Sequence, residues 1–60
     1  MNGQQIEWAK RHDWFLESDW VNPETRCVVV IDRYQTVSGT TASRSRVFTD
    51  YSDLREWAGY

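Results

Sequence analysis

The hydrophobic positions of this chain are concentrated in one central run. Residues 28–31 are four consecutive β-branched side chains, which lose torsional freedom in a helix but pack well on a pleated sheet. The wider run, residues 27–34, therefore predicts a central strand. A strand this apolar needs helix cover on at least one face.

The segment before this strand begins with apolar residues at the spacing of a helix. Ile6 and Ala9 lie three residues apart, and Asn2 precedes Gln5 at the spacing of a capping box. Together these features predict a helix over residues 4–12.

The next segment has two interpretations. In the first, the helix continues through Ser18; in the second, residues 14–21 form a strand that turns over residues 22–25 into the central strand. Asn22 followed by Pro23 is typical of the first two positions of a β-turn. A two-stranded ribbon is also only marginally stable without a third strand. We therefore prefer the strand.

After the central strand the chain becomes polar and then alternates. Residues 38–40 predict a hairpin loop, and residues 44–48 predict a strand with both of its arginines on one face. A last helix follows, capped by Thr49 or Asp50 and ended by Gly59.

These elements predict an α+β fold of order α-β-β-β-α. Residues 1–60 form a single mini-domain, with two helices on one face of a three-stranded antiparallel sheet. If the first helix runs through Ser18, the order becomes α-β-β-α.

The composition indicates the cellular compartment of the protein and the state of its cysteine. The chain has no signal-peptide pattern and no apolar run long enough to cross a membrane. Its single cysteine, Cys27, lies in the apolar run and is expected to be a buried, reduced thiol. The expected location is the cytoplasm.

The sequence contains no signature of catalysis. A nucleophile and base would have to come from Cys27 and His12, and neither lies in a catalytic motif. We find no metal-ligand spacing and no phosphate-binding loop, so no catalytic, metal or cofactor residue is assigned. The expectation is a non-enzymatic protein that needs no cofactor.

Nucleic-acid binding is the alternative function. Arg33, Arg44 and Arg46 could converge on the long hairpin and enter a groove of DNA or RNA. Against this, the chain has seven Lys and Arg, nine Asp and Glu, and a net charge of −2. Proteins that bind the phosphate backbone usually carry a basic excess.

Protein binding is the preferred function. The chain has four tryptophans, more than a small core readily buries, and tryptophan is enriched at interface hot spots. Acidic residues lie beside two of them and along the last helix. The predicted partner-binding residues are Trp14, Glu17, Asp19, Trp20, Asp50, Asp53 and Glu56. The expected partner is a protein with a basic surface, such as one that normally holds nucleic acid.

The two ends of the chain resemble a class of known proteins. Residues 6–14, IEWAKRHDW, and residues 47–60, VFTDYSDLREWAGY, are similar to segments of small accessory proteins of bacteriophages and mobile elements. Several such proteins inhibit host defence, including anti-CRISPR proteins, by binding a protein surface. The resemblance implies an inhibitor or adaptor that acts in the cytoplasm of a bacterial host, and it assigns no functional residue.

Overall fold

The computed structural model describes residues 1–60 as two helices and three strands. The elements are α1 Gly3–Lys10, β1 Phe15–Asn22, β2 Thr25–Gln35, β3 Thr41–Phe48 and α2 Tyr51–Ala58. The strands form one antiparallel sheet in the order β1-β2-β3, which makes β2 the central strand. The predicted α-β-β-β-α fold is confirmed, and Ser18 lies in β1 rather than in a helix. Neither helix reaches the length and apolar content that a membrane-spanning helix needs.

Helix α1 begins with the predicted capping box and ends before the predicted residue. The side chain of Asn2 accepts a hydrogen bond from the Gln5 amide at 2.9 Å, and the Gln5 side chain accepts one from the Asn2 amide at 3.0 Å. At the other end, the amides of Arg11 and His12 each bond to the carbonyl three residues back. This tighter pattern ends the α-helix at Lys10, two residues before the predicted end.

The β1–β2 hairpin turns where Asn22 and Pro23 predict it. The Asn22 side chain accepts a hydrogen bond from the Glu24 amide at 2.9 Å, which is the local contact that favours asparagine in this position. Strand β1 is irregular in two places, where Leu16 and Val21 are extra residues relative to β2. Such bulges bend a strand and interrupt its ladder of hydrogen bonds.

The β2–β3 hairpin is longer and regular. Its register runs without a break from Val28 opposite Phe48 to Gln35 opposite Thr41. In the loop, Gly39 has a φ of 85° and the Thr36 amide bonds to the Thr40 carbonyl at 2.8 Å. Strand β3 therefore begins three residues earlier than its apolar pattern indicates, because backbone pairing continues through polar positions.

Both helices pack on the same face of the sheet. One cluster contains the buried residues Ile6, Ala9, Val28, Val30, Phe48 and Leu54. Because side chains alternate along a strand, the two valines of β2 in this cluster define the helix-covered face. The shortest extent of the molecule is 16 Å, which is room for the sheet and a single layer of helix.

Candidate functional site

The face of the sheet opposite the helices is apolar along its central strand. Cys27, Val29 and Ile31 alternate with the two core valines of β2 and do not belong to the core cluster. When one face of an antiparallel sheet is solvated, its outward side chains are usually polar. All three outward positions in the middle of β2 are apolar instead. We call this uncovered side of the sheet the open face.

Strand β3 extends this apolar surface on one side, and strand β1 places acidic residues beside it on the other. Val47 of β3 lies opposite Val29 and is 62% exposed. On β1, Glu17 lies opposite Val29 and Asp19 lies opposite Cys27. Cys27 is only 5% exposed, whereas Val29 and Ile31 are partly exposed. We call three open-face residues the apolar stripe: Val29, Ile31 and Val47.

Each of the two bulges of β1 carries an exposed apolar side chain. Leu16 is 51% exposed and Val21 is 57% exposed, and each is the extra residue at one irregularity of β1.

The carboxylates of the open face are unpaired. Glu17 and Asp19 form no ion pair within the chain, and Asp19 accepts a hydrogen bond only from the amide of the next residue, at 2.7 Å. Arg33 also reaches this face, because it lies opposite Ser43, two positions beyond Ile31 on β2. It too is unpaired. The open face thus combines an apolar centre, two free carboxylates beside it and one guanidinium toward the far end of β2.

The structure separates the predicted acidic residues into two groups. Glu17 and Asp19 lie on the open face, whereas Asp50, Asp53 and Glu56 belong to α2 on the other side of the sheet. The Asp50 side chain caps α2 by accepting a hydrogen bond from the Ser52 amide at 2.8 Å. Two of the α2 carboxylates line a shallow depression of about 370 Å³; its residues are Arg46, Phe48, Asp53, Glu56 and Trp57.

The two tryptophans of the predicted site have different surroundings. Trp14 is half-buried, because its ring stacks on His12 at 4.5 Å and meets Trp57 edge-on at 5.4 Å. Trp20 is 58% exposed and lies opposite Arg26, whose guanidinium sits 5.2 Å from the indole centroid. By pairing, Trp20 belongs to the helix-covered side of β1, so it borders the open face without forming part of it.

His12 is held within a cluster of aromatic rings. Its Nδ1 lies 3.0 Å from the Trp8 carbonyl oxygen, which can only accept, so Nδ1 carries the proton and donates. Its Nε2 lies 2.8 Å from the Tyr60 hydroxyl. Both ring nitrogens are therefore occupied, and Cys27 is on the opposite side of the sheet. Cys27 is buried and free, as expected, and no three metal-binding side chains lie together.

The three arginines of the alternative site do not converge. Arg44 lies opposite Asp32 and Arg46 opposite Val30 on the helix-covered side, whereas Arg33 projects from the open face. The Asp32 carboxylate is 3.3 Å from Arg44 Nε and 3.9 Å from Arg46 Nη1. Successive side chains of a strand point to opposite faces of the sheet, and Arg33 directly follows Asp32 on β2. Arg33 therefore lies on the face opposite to Asp32, Arg44 and Arg46, and the prediction that all three arginines share one surface is wrong.

The sequence interpretation missed the apolar residues of the open face. The sequence predicts Val29, Ile31 and Val47 as strand residues and gives them no functional role. The signal that could have revealed them is the unbroken apolar run of β2, which is typical of a strand buried on both faces. Two short helices can cover only one face of such a sheet.

Comparison with known protein families, with curated proteins and with solved structures found no match to this chain.

Proposed function

We propose that this protein is a non-enzymatic module that binds another protein through its open face. One observation carries the proposal: the apolar stripe lies on the sheet face that neither helix covers. A central strand that is apolar on both sides fits a sheet packed between two layers. This chain supplies one layer, and a bound partner supplies the second.

The charges beside the stripe favour a basic partner. Glu17 and Asp19 have no cation within the chain, so lysine or arginine at the rim of a partner surface could pair with both. Complementary charges at a rim raise the association rate and fix orientation more than they raise affinity. The partner's contact surface is then an apolar patch with a basic border.

Two simple arrangements of a second copy on the open face bring like charges together. If two open faces pack together about a two-fold axis that runs perpendicular to the strands through Val29, the apolar stripes of the two copies overlap. The same arrangement sets Glu17 of one copy against Glu17 of the other. A two-fold axis along β2 instead sets Arg33 against its equivalent. Like charges facing each other in an interface oppose association, so the occupant we propose is a different protein.

We place the partner in a bacterial host on the resemblance of residues 6–14 and 47–60 to phage accessory proteins. On that basis the protein acts in the bacterial cytoplasm as an inhibitor of a host complex that handles nucleic acid, such as a CRISPR–Cas complex. A basic surface that normally holds nucleic acid has the charge that the open face requires.

The surroundings of His12 and Cys27 support a non-enzymatic role. The two nitrogens of His12 are engaged by a backbone carbonyl and by Tyr60, and its ring is stacked against Trp14. Cys27 is on the far side of the sheet and is 5% exposed. The chain's single histidine and single cysteine therefore do not form a nucleophile–base pair.

The proposal is tested by affinity capture from a bacterial lysate with charge-reversed variants. We expect wild-type protein to capture a partner after nuclease treatment, and Glu17→Lys/Asp19→Lys to lose most of that capture, more strongly at low salt. The matched control is Asp53→Lys/Glu56→Lys, which makes the same charge change on α2. Both pairs are exposed, so each substitution should alter stability by only about 0.5 kcal/mol.

Three outcomes would contradict the proposal. The first is equal capture by wild type and by Glu17→Lys/Asp19→Lys. The second is loss of capture only in the α2 control, which would assign binding to the helix side. The third is capture that nuclease abolishes and that Arg44→Glu/Arg46→Glu prevents, which would support the nucleic-acid alternative.

A further inference from the structure

The outer edge of β3 is a regular strand edge without a neighbour. Strand β3 is last in the sheet order, and all eight of its residues pair with β2 in one unbroken register. Strand β1, at the other edge, is interrupted by bulges at Leu16 and Val21. Because bulges protect an edge from further pairing, the outer edge of β3 is the one better suited to accept another strand.

Charged side chains of both signs lie along this edge. Arg44 and Arg46 come before Val47 on the helix-covered side of β3. Three carboxylates come after Val47 on the same side; they are Asp50, Asp53 and Glu56. None of the three forms an ion pair within the chain. An edge with arginines before its midpoint and carboxylates after it is complementary to a second copy turned end to end.

An antiparallel pair of β3 strands with its two-fold axis at Val47 matches these charges. Positions equally distant from the axis face each other, so Arg44 lies opposite Asp50 of the second copy. Asp50 has the extended backbone that strand pairing needs, with a φ of −103° and a ψ of 125°. Arg46 lies opposite Phe48 of the second copy, beside the depression that two free carboxylates line. Opposite charges across a strand pair stabilise it.

The groups that this pairing uses are only partly engaged within one chain. Arg44 donates a hydrogen bond to Asp32 through Nε alone, and a guanidinium has four further N–H groups. Asp50 accepts a hydrogen bond from the Ser52 amide through Oδ1 alone. The contact between Arg44 and Asp50 of two copies therefore needs neither the ion pair with Asp32 nor the cap of α2 to break.

Other registers of the same strand pair are less favourable. An axis at any of residues 44–46 sets arginine directly opposite arginine, which destabilises a strand pair. An axis at Ser43 avoids this but sets no opposite charges across from each other. An axis at Phe48 pairs only residues 46–50, whereas the axis at Val47 pairs a longer segment of each strand. The charges and the length of pairing together favour Val47.

We propose that the protein forms a symmetric dimer in which the β3 strands of two copies pair antiparallel about Val47. The two three-stranded sheets then join into one continuous sheet. Because the axis is perpendicular to the sheet, both open faces lie on the same side and Val47 of each copy meets its equivalent. The two apolar stripes therefore form one continuous surface. The contact itself lies at the strand edge, so the dimer does not rest on the proposed function.

Oxidative cross-linking of introduced cysteines tests the register. In Val47→Cys the two new residues face each other with Cα atoms about 4.5–5.5 Å apart, a separation that a disulfide spans. In Ser43→Cys the two are about 27 Å apart in the same dimer. Both positions are exposed, and the native Cys27 is buried. We expect Val47→Cys to form a disulfide-linked dimer about tenfold faster than Ser43→Cys or more.

Sedimentation equilibrium of the full chain measures the association directly. We expect the mass to rise from the 7.2 kDa of one chain toward twice that value as the concentration approaches millimolar. Arg44→Glu sets carboxylates against each other at both ends of the strand pair and should weaken the dimer about tenfold. Arg33→Glu is the matched control, because it makes the same charge change on β2. Asp50→Asn keeps a good helix cap and should weaken the dimer about threefold.

Four results would overturn this inference. They are a monomer mass at millimolar concentration, cross-linking of Ser43→Cys as fast as that of Val47→Cys, equal dimer strength in Arg44→Glu and Arg33→Glu, and an unchanged dimer in Asp50→Asn. Circular dichroism shows whether each variant is folded. Arg44→Glu leaves the open face unaltered, so capture of a partner by this variant tests the proposed function without the dimer, and the two proposals fail separately.

Discussion

Gly59 ends α2 in a conformation that few other residues adopt. Its φ is 93°, and its amide bonds to the Glu56 carbonyl at 3.2 Å while the Tyr60 amide bonds to the Arg55 carbonyl at 2.9 Å. These bonds satisfy carbonyls that the last helical turn leaves free. They also turn the chain so that the Tyr60 hydroxyl reaches His12, which ties the end of α2 to the turn that follows α1.

Substitution of this glycine should therefore destabilise the protein through the backbone alone. No atom lies within 4 Å of a Cβ added at Gly59, so any loss in Gly59→Ala comes from the left-handed conformation and should be about 1–2 kcal/mol. Gly3→Ala is the matched control, because its Cβ also meets nothing and alanine favours the helix. Chemical denaturation followed by circular dichroism measures both, and equal effects would contradict the explanation.

At the scale of elements, the sequence determined the type and order of every helix and strand. The run of β-branched residues predicted β2, Asn22 with Pro23 predicted the first hairpin, and the capping pattern at Asn2 predicted the start of α1. The predicted end of α1 and the predicted start of β3 were less accurate. Helix α1 stops at Lys10 because of tighter hydrogen bonds, and β3 begins at Thr41 because backbone pairing carries it through polar residues.

Helix α2 is held by burial rather than by its own propensity, since a helix of eight residues is marginal alone. Leu54 is its fully buried residue, with 0% exposure. Leu54→Ala should cost about 2–5 kcal/mol and lower the melting temperature strongly. Leu16→Ala is the matched control at a bulge and should change stability by about 0.5 kcal/mol. Similar melting temperatures for the two variants would show that α2 is not part of the core.

At the scale of the whole molecule, the open face could not be deduced from periodicity. The sequence shows that Val29 and Ile31 are apolar, but the number of faces that the helices cover depends on how both helices pack. Because α1 and α2 share one cluster, the opposite face is left open. The acidic residues beside the tryptophans were identified, yet their division between two faces follows from the pairing of β1 with β2.

Two valine-to-lysine variants, compared in capture from nuclease-treated lysate, test whether the open face is the binding surface. Val47 is 62% exposed in the apolar stripe, and Val37 is fully exposed in the β2–β3 loop. Neither change should unfold the protein, because neither side chain is in the core. We predict that Val47→Lys lowers the amount of captured partner by about tenfold, the effect of losing a buried interface contact, and that Val37→Lys does not. Equal capture by the two variants would contradict the assignment of the open face as the binding surface.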